Sequence, residues 1–278
     1  MDSKWFRRYD RTGSGDARTG SGDARTGSGD ARTGSGDADR PRLICFPHAG
    51  GAASAYAGLS RLLAPHLDVF AVQYPGRQDR RHETPERGIT PLAGRIAQRL
   101  IEGTTGPYAL FGHSMGALVA YETARALQRC GAPGPLRLLL SGRGAPGGAA
   151  NPHDRLDGDG AILAAVRRLG GTDATVLDDP EMVAMALPPL RADYGALASY
   201  RWTPDPVLNT PVSVFVGADD PVVPVSSARA WSERTALESE TLVFPGGHFY
   251  LGGRLDKVAE AIVDRVAVRP TGQDALRR

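Results

Sequence analysis

The chain has 278 residues and a formal net charge of +2. So small a charge excludes the strong basic or acidic field expected of a nucleic-acid or membrane-surface binder. Hydrophobic residues make up 41 %, enough for a core, and no apolar run reaches membrane-spanning length. The two cysteines, Cys45 and Cys130, read as free thiols, not as a disulfide or a metal site.

The opening MDSKWFRRYD is charged and no apolar core follows it, unlike a secretory signal. These features fit a soluble cytoplasmic protein, with a monomer as the default. Residues 11–38 are four tandem copies of RTGSGDA. The repeats hold no apolar residue larger than alanine whose burial could offset ordering entropy, so residues 1–40 read as a flexible tail. Residues 41–268 read as one domain, and 269–278 as a polar C-terminal tail.

From Pro41 onward short apolar runs alternate with helical patterns. The strand candidates are Leu43–Phe46, Val69–Tyr74, Tyr108–Phe111, Leu136–Ser141, Val212–Val216 and Thr241–Phe244. Continuous runs of this length suit strands buried on both faces of a parallel sheet. Helical patterns fall near 54–65, 91–102, 115–130, 226–237 and 254–268. The alternation predicts a doubly wound α/β sheet. The rhythm breaks over residues 143–208, which open on a Gly/Pro-rich loop and carry helical patterns near 159–169 and 180–200. An insertion there sits over the C-terminal edge of the strands, where α/β proteins bind ligands, and reads as a helical lid.

Gly112-His113-Ser114-Met115-Gly116 matches G-x-S-x-G, with an apolar strand before it and a helical pattern after it. In that context the serine occupies a sharp strand-to-helix turn and its hydroxyl projects from the sheet edge. The arrangement predicts an acid and then a histidine later in the chain. Val212–Val216 runs into Asp219-Asp220, of which Asp220 is favoured and Asp219 stays open. Thr241–Phe244 runs into Pro245-Gly246-Gly247-His248, which makes His248 the candidate base. The N–H of Met115 is one expected oxyanion donor. The turn Pro47-His48-Ala49-Gly50-Gly51 supplies the other, Ala49 first and Gly50 second. Of the remaining histidines, His113 reads as packed locally, His48 as shaping its turn, His66 and His82 as surface residues, and His153 as part of the loop before the lid. None has metal-ligand spacing, so no metal is expected.

LICFPHAGG, VQYPGR, YALFGHSMGALVAYE, LPPLRADY, VFVGADDPVVP and FPGGHFYL, in this order, resemble a type II thioesterase. These are stand-alone α/β-hydrolases of polyketide and non-ribosomal peptide assembly lines. The resemblance covers about residues 41–268. It implies an α/β-hydrolase fold with a lid gating an acyl chamber, and a triad of Ser114, Asp220 and His248. It also implies an acyl thioester substrate on the phosphopantetheine arm of an acyl carrier protein or peptidyl carrier domain, and no cofactor of the enzyme's own. On that basis Met182, Met185, Leu187, Leu190 and Tyr194 are candidate chamber residues, with core packing of their helix the equal alternative. Carrier proteins are usually acidic, so Arg77, Arg80, Arg81 and Arg87 are candidates for a dock, against a merely solvated arginine-rich loop. A carboxylesterase or an acyltransferase on the same fold, and a binding protein on an inactive scaffold, are the competing readings.

Overall fold

The computed structural model describes residues 1–9, 40–148, 151–171 and 177–266. Seven strands form one sheet: β1 (Phe6–Arg8), β2 (Arg42–Phe46), β3 (Asp68–Val72), β4 (Tyr108–His113), β5 (Leu138–Ser141), β6 (Val212–Gly217) and β7 (Ser239–Phe244). Their order is β1-β3-β2-β4-β5-β6-β7. All neighbours are parallel except β1, which pairs antiparallel with β3 through Phe6↔Val72 and Arg8↔Phe70. Every residue of β4, β5 and β6 is buried, which is why their sequences are unbroken apolar runs.

The seven helices named here are α1 (Ala57–Leu63), α2 (Ile89–Gly103), α3 (Met115–Arg129), α4 (Gly158–Leu169), α5 (Pro180–Ser199), α6 (Val225–Arg229) and α7 (Leu255–Val266). Two buried clusters cover the two faces of the sheet. One joins α2 and α3 to the sheet, and the other joins α1 and α7 to it. This is the doubly wound arrangement that the alternation predicts. One helical pattern is shorter than expected: 226–237 is the five-residue α6 followed by a 3₁₀ stretch, Ala230–Arg234.

The N-terminus corrects the tail reading. Residues 6–8 are an edge strand, and Trp5 and Phe6 are 2 % and 3 % exposed. The Arg80 guanidinium lies 4.2 Å from the Trp5 ring centroid, and Gln73 N–H donates to the Trp5 carbonyl at 2.9 Å. A three-residue strand written FRR has no periodicity to reveal it. The four repeats and residues 269–278 lie outside the described residues. Deletion of residues 1–38, harmless under the tail reading, would instead strip this strand and uncover the β3 edge. Trp5→Ala should cost about 3 kcal/mol, as other buried aromatic truncations do, read as a lowered urea midpoint. An unchanged midpoint would show that Trp5 contributes nothing to the fold.

The insertion folds as α4 and α5 between β5 and β6. Asp179 caps α5, accepting from the N–H groups of Glu181 (2.8 Å) and Met182 (3.4 Å), with Pro180 at the first helical position. Arg143 holds the start of the insertion through two bonds to Asp154, 2.7 and 2.5 Å. The return segment is tied to α3 by Tyr200, whose hydroxyl donates to Glu122 at 2.6 Å, and by Arg125, which pairs with Glu122 at 2.7 Å and Asp205 at 2.6 Å.

Candidate active site

Ser114 stands between β4 and α3 with φ +56° and ψ −118°. A side chain in that region costs about 1–3 kcal/mol and persists only where its surroundings enforce it. Two glycines make the turn possible. A Cβ on Gly112 would lie 2.2 Å from the Gly116 carbonyl oxygen, and one on Gly116 would lie 2.0 Å from that of Phe46. The motif's glycines are therefore required by backbone-to-backbone contact.

Ser114 Oγ is 3.0 Å from His248 Nε2, and His248 Nδ1 is 2.8 Å from Asp220 Oδ2. With the Nδ1 proton donated to Asp220, Nε2 is the acceptor for the serine hydroxyl. His248 and Asp220 are buried. The other oxygen of Asp220 accepts from the N–H groups of Val222 (2.8 Å) and Val223 (3.1 Å), which fix the carboxylate. Asp219 is exposed and has no bond to His248. Of the two adjacent aspartates, Asp220 is the one on the histidine.

Met115 is the first residue of α3, so its N–H has no partner within the helix. In the loop after β2, Gly50 N–H donates to Asp193 Oδ2 at 2.7 Å and Gly51 N–H to the His48 carbonyl at 2.9 Å. Those two donors are engaged. Of the N–H groups of residues 49–51, that of Ala49 is the one left without an acceptor among the described residues, and Ala49 borders the same cavity as Ser114.

That cavity, about 90 Å³, is walled by Leu169, Leu177, Ala186, Leu190, Tyr194 and Phe249. Of the five expected chamber residues, Leu190 and Tyr194 line it. Met182, Met185 and Leu187 do not: the methionines are 38 % and 66 % exposed, and Leu187 is half-buried. The inward face of α5 runs Ala186, Leu190, Tyr194, at a spacing of four, and an Ala in that row carries no hydropathic signal that the outer methionines lack. Phe249 was also missed. It follows His248 in the chain, and its ring packs at 4.9–5.2 Å from His48, His113 and His248.

A model of the thioesterase domain matches residues 41–266. The chain belongs to the thioesterase domain family. It is 44 % identical over 221 residues to a probable cadicidin biosynthesis thioesterase of Streptomyces griseus, covering 80 % of this chain and 61 % of that protein's length. It is 39 % identical over 235 residues to the thioesterase PikA5 of Streptomyces venezuelae, covering 84 % of each. Among solved structures, the type II thioesterase BorB from the borrelidin biosynthetic cluster superposes with a TM-score of 0.75 at 39 % identity, covering 96 % of this chain and 99 % of that one. The fold is that of the α/β-hydrolases, and the chain is a thioester hydrolase.

The other sequence candidates of this thioesterase divide sharply. His66 and His82 are exposed, and His153 is half-buried with its Nδ1 2.8 Å from Arg168. Arg81 and Arg87 are exposed, but Arg77 and Arg80 are each 3 % exposed and belong to the interior, not to a dock. Arg80 bonds Glu83 at 2.9 and 2.7 Å, and Arg77 pairs with Asp193 at 2.5 Å. Cys45 is buried and Cys130 exposed, both as free thiols. Among the described residues no three His, Cys, Asp or Glu gather as a ligand set, and no helix is long and apolar enough to cross a membrane.

His113 is buried, with Nδ1 2.9 Å from Ser141 Oγ, which in turn lies 2.6 Å from the Tyr250 hydroxyl. Burial, reinforced by His248 and His48, pushes the His113 imidazole well below its ordinary range; burial, reinforced by His248 and Arg77, pushes that of His48 down to about 4. Both are neutral in the folded enzyme near pH 6, whereas the unfolded chain protonates them below about 6.5. The unfolded state then binds more protons, so stability rises with pH in this window. Lowering the pH from 6.5 to 5 should remove up to about 2 kcal/mol per histidine. A melting temperature that is flat between pH 7 and 5 would contradict neutral burial of this pair.

Proposed function

We infer that the enzyme hydrolyses acyl groups held as thioesters on the phosphopantetheine arm of an acyl carrier protein or peptidyl carrier domain in the cytoplasm. Such hydrolysis clears or releases chains in polyketide or non-ribosomal peptide assembly. The observation that carries the reading is the unbroken chain Ser114 Oγ–His248 Nε2 (3.0 Å) and His248 Nδ1–Asp220 Oδ2 (2.8 Å), opening on an apolar cavity under α5.

His248 takes the Ser114 proton as the hydroxyl attacks the thioester carbonyl. Asp220 holds the imidazole tautomer and stabilises the imidazolium. The N–H groups of Met115 and Ala49 receive the tetrahedral oxyanion, each such donor being worth about 10²–10³ in rate. The pantetheine thiolate leaves with the proton from His248, giving an acyl-serine. His248 then activates water to release the free acid. The reaction as written needs no cofactor of the enzyme. The apolar wall of Leu190, Tyr194 and Phe249 receives the acyl group, not the polar arm.

The test is release of free acid from a panel of acyl groups on a holo carrier protein, beside the same groups as simple oxyesters, with wild type and Ser114→Ala. Cleavage of the carrier thioesters that vanishes in the variant supports the reading. Faster oxyester turnover would move the enzyme to the carboxylesterases. Transfer to an added alcohol or amine in place of free acid would make it an acyltransferase.

A further inference from the structure

The buried ion pair between Arg77 and Asp193 has no part in the chemistry above, yet it spans 116 residues and joins the lid helix to the segment after β3. Buried ion pairs are weak stabilisers, since an apolar pair of similar volume often does as well or better. What this pair touches is more informative. Asp193 Oδ1 meets Arg77 at 2.5 Å, while its Oδ2 accepts the Gly50 N–H at 2.7 Å. Arg77 Nε donates to the Gly51 carbonyl at 3.3 Å and Nη1 to the Pro75 carbonyl at 3.4 Å. The pair therefore grips a donor and an acceptor of consecutive residues. One turn earlier on α5, Leu190 Cδ2 sits 2.5 Å from where a Cβ of Gly50 would stand, and Gly50 has φ +75°.

The peptide unit joining Ala49 to Gly50 is planar, so fixing the Gly50 N–H also fixes the plane on the C-terminal side of Ala49. We propose that Asp193 is a positioning residue: from the lid helix α5 it sets the backbone of residues 49–51, and with it the aim of the Ala49 N–H at the reacting carbonyl. The oxyanion hole is then complete only while α5 is seated. The inference rests on the hydrolytic reading above, in which Ala49 serves the oxyanion.

Three variants separate positioning from stability: Asp193→Leu, the double variant Arg77→Met/Asp193→Leu, and Asp193→Asn. The first removes the acceptor and leaves Arg77 unpaired. The second removes the acceptor but leaves no buried charge. The third keeps an oxygen for Gly50 N–H. Each is assayed for melting temperature and for kcat and KM on a short-chain acyl thioester of N-acetylcysteamine.

Losing the aim of one donor should lower kcat about 10- to 100-fold in both leucine variants, with KM within about threefold. The double variant should melt near wild type and still be slow, and Asp193→Asn should keep kcat within about fivefold although its melting temperature falls. Recovery of kcat in the double variant, or a kcat that follows melting temperature across the set, overturns the proposal. If neither leucine variant folds, Asp193→Asn decides alone: a folded protein with kcat down more than about 30-fold overturns it, and a retained kcat supports it. Wild-type enzyme inert toward every thioester would instead sink the hydrolytic reading itself.

Discussion

Ser114→Ala and His248→Ala should each lower kcat for thioester hydrolysis by at least about 10⁴, and the double variant should be scarcely slower than either. The expectation follows from how the two groups are joined. In the proposed mechanism the imidazole, 3.0 Å away, accepts the very proton whose loss makes the hydroxyl a nucleophile, so removing either member removes the same step. Their losses do not add. Asp220→Asn should cost less than either but still at least about 10², because it disturbs the tautomer and the imidazolium. The amide retains an oxygen for Val222 and Val223 N–H, so the loop itself is preserved. Asp219→Asn, on an exposed side chain, should leave kcat within about twofold. Purified variants assayed in a single-turnover format give these rates directly. If Ser114→Ala retained even a hundredth of wild-type kcat, water activated by His248 would have to be attacking the thioester without an acyl-serine. Equal losses in Asp219→Asn and Asp220→Asn would mean that the acid is not chosen by the contact to His248.

How much of this was legible in the sequence depends on whether each signal was local. The strands under the site are local: LLLS and VSVFVG are apolar because both faces of β5 and β6 are covered. The elbow is local in part: Gly112 answers to the backbone of Gly116 and Ala117 in its own turn, whereas Gly116 answers to the carbonyls of Phe46 and Pro47 at the end of β2. Asp220 against Asp219 was only a preference, because adjacent side chains diverge and the loop's bend decides which one meets the histidine. The arginines failed for a related reason. A guanidinium in VQYPGR reads as solvated until a carboxylate 116 residues away is known to meet it. The chamber face of α5 was half legible. Leu190 and Tyr194 fall in the right row, but the helix carries apolar residues nearly all round, including Pro188 and Pro189, so hydrophobicity alone did not select the inward side.

Two glycines should respond to alanine with opposite signs. Gly116→Ala should leave little folded protein, with a loss of at least about 5 kcal/mol, above the usual range for single changes. The new Cβ would stand 2.0 Å from the Phe46 carbonyl oxygen and 2.6 Å from that of Pro47. Neither is the far end of a flexible side chain. Relief would require moving the end of β2 away from α3, and β2 is paired on both sides, to β3 and to β4. The displaced loop is also the one that carries Ala49, so any protein that does fold should be slow. Gly94→Ala, in the middle of α2, meets nothing within 4 Å. There the added methyl only restricts the unfolded chain and favours the helix, so stability should rise by about 0.5–1 kcal/mol. Urea midpoints of the two variants against wild type separate these opposite signs. A Gly116→Ala protein with a wild-type midpoint would mean that β2 and α3 can part by more than an ångström without loss, and the close approach beneath Ser114 would then not be what holds the serine in its strained turn.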